Sequence, residues 1–288
     1  MSTEQINHPR SVPEPRPTGI IALDLDGTLL TSEKVLTPEN RTALERAAEA
    51  GYAVVPATGR FYGGMPEEIR SLPFVRYVIA VNGAQVYDRQ EDRVIHRAEI
   101  PLARAIEIME ELDTLPIIYD CYMDNWGWMT KTLYDQAERY APHRHSLEML
   151  QKLRTPVPEL KSHLRQVGHD VQKIQMFFLD MELRARTMED LARRYPDIAV
   201  TSSIPRNVEL NSLGAQKGEA VKALAAHLGV EMEKTICFGD DLNDVTMLRA
   251  AGIGVAMGNA APEVKAAADW VTLDCDHSGV AAALERFL

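Results

Sequence analysis

Basic runs, cysteine pairs and long apolar runs are all scarce in this sequence, and each scarcity removes a class of protein. Across 288 residues there are 31 Lys+Arg against 42 Asp+Glu, a formal net charge of −11, with no dense Lys/Arg stretch. An acidic chain without a basic patch repels nucleic-acid backbones and anionic membranes, so neither is expected as a partner. Only three cysteines occur, Cys121, Cys237 and Cys275, and no two form a Cys-x-x-Cys pair. Their plain reading is reduced thiols, buried or half-buried, in a cytoplasmic protein. No apolar run approaches the roughly 18 residues of a membrane-spanning helix. Residues 2–18 are polar, carry four prolines and lack the apolar centre of a signal peptide. A disordered tail is expected over 1–18.

What remains has the composition of an ordinary globular protein, 45% hydrophobic and 25% charged. The length suits one large domain or two linked ones. Short apolar runs begin at Gly19-Ile-Ile-Ala-Leu23 and recur at Tyr52–Ala57 and Tyr77–Val81. Helical spacing lies between them at 38–50, with Thr37 as N-cap, Pro38 at the first helical position and Gly51 as a stop. A second helix fits 66–72. Strands alternating with helices predict βαβ units and a buried parallel sheet. The middle reads differently. Strand-like segments at 94–100, 117–122, 126–130, 171–179, 199–203 and 207–210 are mixed with helical ones at 102–112, 132–153 and 182–194. The alternating pattern returns with helices at 216–228, 241–251, 262–268 and 279–287 and strands at 235–238, 252–257 and 270–273. The expected fold class is α/β. A doubly wound, Rossmann-like parallel-sheet core over 19–86 and 204–288 is interrupted by an α+β module over 87–203.

Three polar clusters follow three apolar strands: Asp24-Leu-Asp26-Gly27-Thr28, Thr58-Gly59-Arg60 and Gly239-Asp240-Asp241-Leu242-Asn243-Asp244. Open parallel sheets bind ligands outside the carboxyl ends of their strands, where distant segments meet. Asp24 and Asp26 leave a buried strand two residues apart, which is costly unless a partner compensates the charge. Hard carboxylate oxygens suit a magnesium ion, and Asp240 offers a further ligand. With the metal in place Asp24 stays ionised and can attack phosphorus. Asp26, in a different environment, can hold and return a proton. The alternative is a turn, since Asp-Gly is a common turn dipeptide. The Thr58 hydroxyl and the amides of Thr58 and Gly59 can hold phosphate oxygens, or Thr58 can simply cap a strand-to-helix turn. Asn82-Gly83 reads as an ordinary turn pair. Lys217 opens a helix whose N-terminus is already positive, a place made favourable by a nearby phosphate and acidic cluster. Asp240 is the better metal candidate of its cluster, while Asp244 is expected to orient the metal's waters or Lys217 from behind.

Other residues carry less. His143 and His145 read as a solvated face. Trp126 and Trp128 share one side of a strand; such residues are usually core, although a module facing the site can use one to cover substrate. Met176, Met247 and Met257 are read as core.

On Asp24-Leu-Asp-Gly-Thr28, Thr58, Lys217 and Gly239–Asp244 in this order, the chain resembles the haloacid dehalogenase superfamily, specifically its Cof-type phosphatases. The stretches Gly254-Val-Ala-Met-Gly-Asn-Ala260, Ala268–Thr272 and Gly279-Val-Ala281 strengthen the likeness, which spans about 19–288. The resemblance implies a Rossmann-like core with a large inserted cap, Asp24 as nucleophile and Asp26 as acid/base. It implies magnesium held by the Asp24 carboxylate, the Asp26 backbone carbonyl and Asp240, with Thr58, Lys217 and Asn243 on the transferring phosphoryl group. It further implies small phosphorylated metabolites as substrates: sugar phosphates, flavin mononucleotide (FMN) or pyridoxal phosphate. A monomer or weak homo-oligomer is expected. The rival readings are a phosphomutase of the same superfamily and a non-catalytic phosphometabolite-binding protein. Intact Asp24, Asp26 and Asp240 argue against the second. A glycosyltransferase reading of Asp-x-Asp leaves Thr58 and Lys217 without a role.

Overall fold

The structure is a computed structural model that describes residues 16–288 except 142, 143, 203 and 205, with only the backbone at 145 and 146. The expectations for residues 1–15, His143, the His145 side chain and Ser203 therefore fall outside the described residues. In chain order the strands are β1 (Gly19–Leu23), β2 (Tyr52–Pro56), β3 (Tyr77–Ala80), β4 (Gln85–Asp88), β5 (Arg93–Arg97), β6 (Ile118–Met123), β7 (Trp126–Thr130), β8 (Arg154–Val157), β9 (Lys173–Phe177), β10 (Ile198–Thr201), β11 (Asn207–Ser212), β12 (Thr235–Gly239), β13 (Ile253–Ala256) and β14 (Trp270–Val271).

Five of them form a parallel sheet in the order β14-β13-β12-β1-β2. β1 is buried at every position, which explains why it reads as an unbroken apolar run rather than an alternation. Helices cover both faces. Pro38–Glu49 starts where Thr37 accepts from the Asn40 amide and buries Leu44 and Ala47. Lys217–Leu228 buries Val221 and Leu224 and ends at Gly229 in the left-handed conformation. The bridge Ala57↔Ile79 carries the sheet on to an antiparallel unit, β3-β4-β5. A second, six-stranded sheet, β10-β11-β9-β6-β7-β8, is antiparallel except for the β7–β8 pair. The fold class is the expected α/β core with an additional α+β sheet.

Several segments differ from expectation. β5 lies within the range expected for the inserted module, yet it pairs with β4. β11 was placed with the core, yet it pairs with β9 and β10 in the six-stranded sheet. Thr18, expected at the end of a disordered tail, donates its amide to the Gly51 carbonyl at 2.9 Å. The helix expected over 132–153 is three pieces, Lys131–Tyr134, Ala137–Tyr140 and Arg144–Leu153. The short strands β4 and β8 and the helix Leu160–Val167 have no counterpart in the sequence reading, because none is long enough to establish a period. The helix expected from Asp241 starts as a 3₁₀ turn, Leu242–Asp244, before Val245–Ala250, since the Asp244 carboxylate is drawn back to the amides of Asp240 and Asp241.

Leu23 is fully buried at the centre of this packing. Its replacement by Ala is expected to lower unfolding free energy by about 2–5 kcal/mol. A urea melt checks this, and a loss below about 1 kcal/mol would show that β1 is not central to the core.

Candidate active site

The carboxyl ends of β1, β2, β3 and β12 open on one cleft of about 560 Å³. Asp24 follows β1 and donates its amide to the Phe238 carbonyl at 3.0 Å, so it is held at the sheet edge beside β12. Asp240 follows β12. Its Oδ1 accepts from the Thr28 hydroxyl at 2.7 Å, which ties the two strand ends together. Gly27 makes this approach possible. It has φ 90°, and a Cβ there would lie 2.4 Å from Asp240 Oδ2.

Lys217 lies beneath Asp24 with no exposure, its Nζ 2.6 Å from both Asp24 Oδ1 and Asp244 Oδ1. Asp244, equally buried, uses its other oxygen to accept from the amides of Asp240 and Asp241 at 2.9 and 3.1 Å. Burial disfavours the charge on Lys217, but Asp24 and Asp244 outweigh it and hold the ammonium above its usual pKa. Burial pushes the Asp24 carboxyl up to about 7 against the opposing pull of Lys217. It pushes Asp240 up to about 6, opposed by the Thr28 hydrogen bond. One oxygen each from Asp24, Asp240 and Asp244 lies within 4.8 Å of the others. When ionised, the three carboxylates outnumber the one ammonium and leave a net negative charge in a poorly solvated place. That donor set could hold a small, hard divalent cation: Asp244 is tied to Lys217 and two backbone amides, whereas Asp240 is held only by the Thr28 hydroxyl and, at 3.3 Å, by the Asn259 side chain.

Asp26 points elsewhere. Its two oxygens accept from Arg60 Nη2 and Nε, each at 2.9 Å, and Lys34 Nζ lies 3.0 Å from Oδ1. Burial raises the Asp26 pKa, but the two cations outweigh it and hold the carboxyl below its usual range. Thr58 is buried, and its hydroxyl accepts from the Arg60 amide at 3.2 Å. Its own amide donates to the Ile79 carbonyl at 2.9 Å and continues the sheet, so the expectation that this amide holds phosphate is corrected. The Thr58 hydroxyl and Gly59 border the cleft. Asn243 borders it as well, and donates to Asn82 Oδ1 at 3.1 Å. The structure thus brings Asp24, Asp26, Thr58, Gly59, Lys217, Asp240, Asn243 and Asp244 to one place.

Sequence reasoning passed over others. Arg60 was seen only as a turn residue and Lys34 not at all. Asn82, set aside as half of a turn pair, reaches the cleft with φ 58° next to Val81 at φ 50°. Two consecutive non-glycine residues in the left-handed region mark a constrained backbone. Gly83 follows at φ 98°, where a Cβ would meet the Gln216 carbonyl at 2.4 Å. The available signal was position, since Asn82 ends an apolar strand as Asp24 and Thr58 do. The six-stranded sheet adds Tyr122, Lys173, Gln175 and Glu209 to the opposite wall. Trp126 does not border the cleft but packs edge-on against Phe61, which does. Trp128 stacks on His163 instead. Met176, Met247 and Met257 are fully buried, as expected of core residues.

With Met at 217, Asp24 and Asp244 would lose their shared cation. A carboxyl with a folded pKa above its unfolded value contributes stability at acid pH, which is lost as pH rises through the folded pKa. In the unaltered protein that loss runs from 3.8 to about 7 for Asp24, and without the Lys217 ammonium the folded pKa rises further, so the two proteins diverge above about pH 7. The destabilisation of Lys217→Met relative to the unaltered protein is therefore expected to grow from pH 5 to pH 8, reaching about 3–5 kcal/mol. Urea melts at both pH values measure it, and an equal loss at each would contradict the arrangement.

The family profile of haloacid dehalogenase-like hydrolases matches residues 21–284. The phosphatase YwpJ of Bacillus subtilis is 33% identical over 296 residues, covering 93% of this chain and 99% of that protein. The pyridoxal phosphate phosphatase YbhA of Escherichia coli is 32% identical, covering 89% of this chain and 94% of that protein. A crystal structure of a haloacid dehalogenase-like hydrolase from Bacteroides thetaiotaomicron superposes with a TM-score of 0.80 at 28% identity, over 94% of this chain and 99% of that one. Among the described residues no helix is long and apolar enough to cross a membrane. The chain belongs to the haloacid dehalogenase-like hydrolases and is a phosphatase of that superfamily, a phosphoric monoester hydrolase.

Proposed function

We propose that the protein is a magnesium-dependent phosphatase of small phosphorylated metabolites that acts through a phosphoryl-enzyme intermediate on Asp24. The observation that carries this reading is the Asp24 carboxylate at the floor of the cleft, held at 2.6 Å by a fully buried Lys217 and within reach of Asp240. Magnesium held by the carboxylates of Asp24 and Asp240 and the backbone carbonyl of Asp26 would neutralise charge on the nucleophile and the phosphoryl oxygens. Thr58, Gly59 and Asn243, which border the cleft, hold and orient the phosphoryl group, while Lys217 beneath Asp24 holds that carboxylate in place. An Asp24 oxygen bonds to phosphorus while the bond from phosphorus to the leaving oxygen breaks, and Asp26 gives that oxygen its proton. Water then attacks phosphorus, Asp26 takes its proton, and the acyl phosphate bond breaks to return Asp24 and free phosphate. For this work Asp26 must exchange the Arg60 and Lys34 contacts for the substrate, whose phosphoryl oxygens are the natural new partners of those cations.

The chain divides into a core made of both ends, holding the parallel sheet and β3-β4-β5, and an inserted cap built on the six-stranded sheet. The cap selects the leaving group and excludes water. The pyridoxal phosphate phosphatase relative supports pyridoxal phosphate as a candidate substrate, and sugar phosphates and FMN are the other candidates. Three buried cysteines without disulfides suit a reducing cytoplasm.

A phosphometabolite panel assayed for free phosphate tests the reading. Release is expected with magnesium, to be lost in EDTA, and to fall by about a thousandfold or more in Asp24→Asn. Turnover in EDTA, or an active Asp24→Asn, would defeat the mechanism. An isomerised sugar phosphate in place of free phosphate would favour a phosphomutase.

A further inference from the structure

One face of the six-stranded sheet is charged at one end and apolar at the other. β6 and β9 lie in register, with Tyr122 opposite Lys173, Asp120 opposite Gln175 and Ile118 opposite Phe177. β11 places Glu209 opposite Gln175. The reverse face carries Tyr119, Cys121, Ile174, Met176, Val208 and Leu210, all in an apolar core. A sheet with both faces covered needs no charge on either. Yet Asp120, Lys173, Glu209 and Arg154 are each less than 9% exposed, paired as Arg154–Asp120 at 3.0 Å and Lys173–Glu209 at 2.6 Å. Such pairs seldom stabilise a fold more than apolar residues of the same volume, so stability does not account for them. Arg154 also donates to the Tyr122 hydroxyl at 2.9 Å, and Tyr122 to Gln175 at 3.1 Å. Lys173 Nζ reaches the Gly59 carbonyl at 3.4 Å, beside the expected phosphoryl position.

Beyond Gln175 the face becomes the wall of a cavity of about 250 Å³. Ile118, Phe177, Tyr140 and Leu153 are among the residues that line it. Tyr122, Met149, Leu153, Gln175 and Ile204 border both this cavity and the cleft at Asp24, so the two spaces lie side by side. An apolar cavity of roughly 150 Å³ holds benzene, which leaves room here for a substituted six-membered ring. Aromatic walls favour a flat occupant. Arg154 and Asp120 already balance each other, so a charged occupant would find no free countercharge in that pair.

We propose that this cavity takes the far end of the leaving group. That end is an uncharged ring, joined to the phosphate ester by a polar linker running past Lys173, Glu209 and Gln175. The substrate class is then a phosphate monoester with a ring at its distal end, and Phe177 sets the preference. This rests on the phosphatase reading.

Four esters with similar primary-alcohol leaving groups test it: ethyl and butyl phosphate against 2-phenylethyl and 4-phenylbutyl phosphate. At one chain length or both, the phenyl ester is expected to show kcat/KM about tenfold or more above the matching alkyl ester. In Phe177→Ser that ratio falls towards one, and in Phe177→Leu it largely recovers. The ratio is taken within each preparation, so partial loss of folded protein does not alter it. Equal kcat/KM across the series, or an unchanged ratio in Phe177→Ser, overturns the subsite and leaves the phosphatase reading standing. No phosphate from any of the four esters, nor from the metabolite panel, overturns both.

Discussion

The ammonium of Lys217 is buried between Asp24 and Asp244 at 2.6 Å from each, and the chemistry of the cleft depends on that placement. A carboxylate at the end of an all-apolar strand would otherwise take up a proton, because burial alone raises its pKa. Lys217 opposes that rise and fixes which Asp24 oxygen points inward. Asp244 balances the second half of the charge and pins the backbone at Asp240 through two amides. Three segments separated by up to about two hundred residues are thereby locked at one point. The net negative charge left over is what makes the place receptive to a divalent cation.

The parallel sheet explains how such distant residues meet. Strands running in one direction bring their carboxyl ends to one edge, and each chain leaving that edge must turn. The turns carry the site: Asp24 after β1, Thr58 after β2, Asn82 after β3 and Asp240 after β12. Close backbone approach limits the choice of residue there, as at Gly27 and Gly83. The six-stranded sheet faces this edge with Tyr122, Lys173 and Glu209, and Lys173 touches the loop that holds Thr58.

Much of the core was legible because its signals are strong and local. Unbroken apolar runs mark buried parallel strands, and polar clusters directly after them mark the site edge. That Lys217 meets the acidic cluster was legible from its awkward position at a helix start. Three kinds of feature were not. The ion pairs of Asp26 with Arg60 and Lys34 join residues with no shared period. Short elements such as β4 and β8 give too few residues for periodicity to act on. The cap face misleads outright: Lys173-Ile174-Gln175-Met176 alternates polar and apolar as a solvent-facing strand does, yet Lys173 and Gln175 are buried. Pattern separates the two faces of a strand, and only tertiary packing tells which of them meets water.

On the proposed mechanism Asp24 becomes covalently phosphorylated during turnover. Mixing the protein with a ³²P-labelled phosphate monoester and magnesium, quenching in acid within one turnover and reducing with borohydride would convert an aspartyl phosphate into homoserine. The account predicts labelled protein at the quench and homoserine at position 24 after reduction. Phosphate release at the normal rate with no labelled protein, or homoserine at any other position, would contradict it.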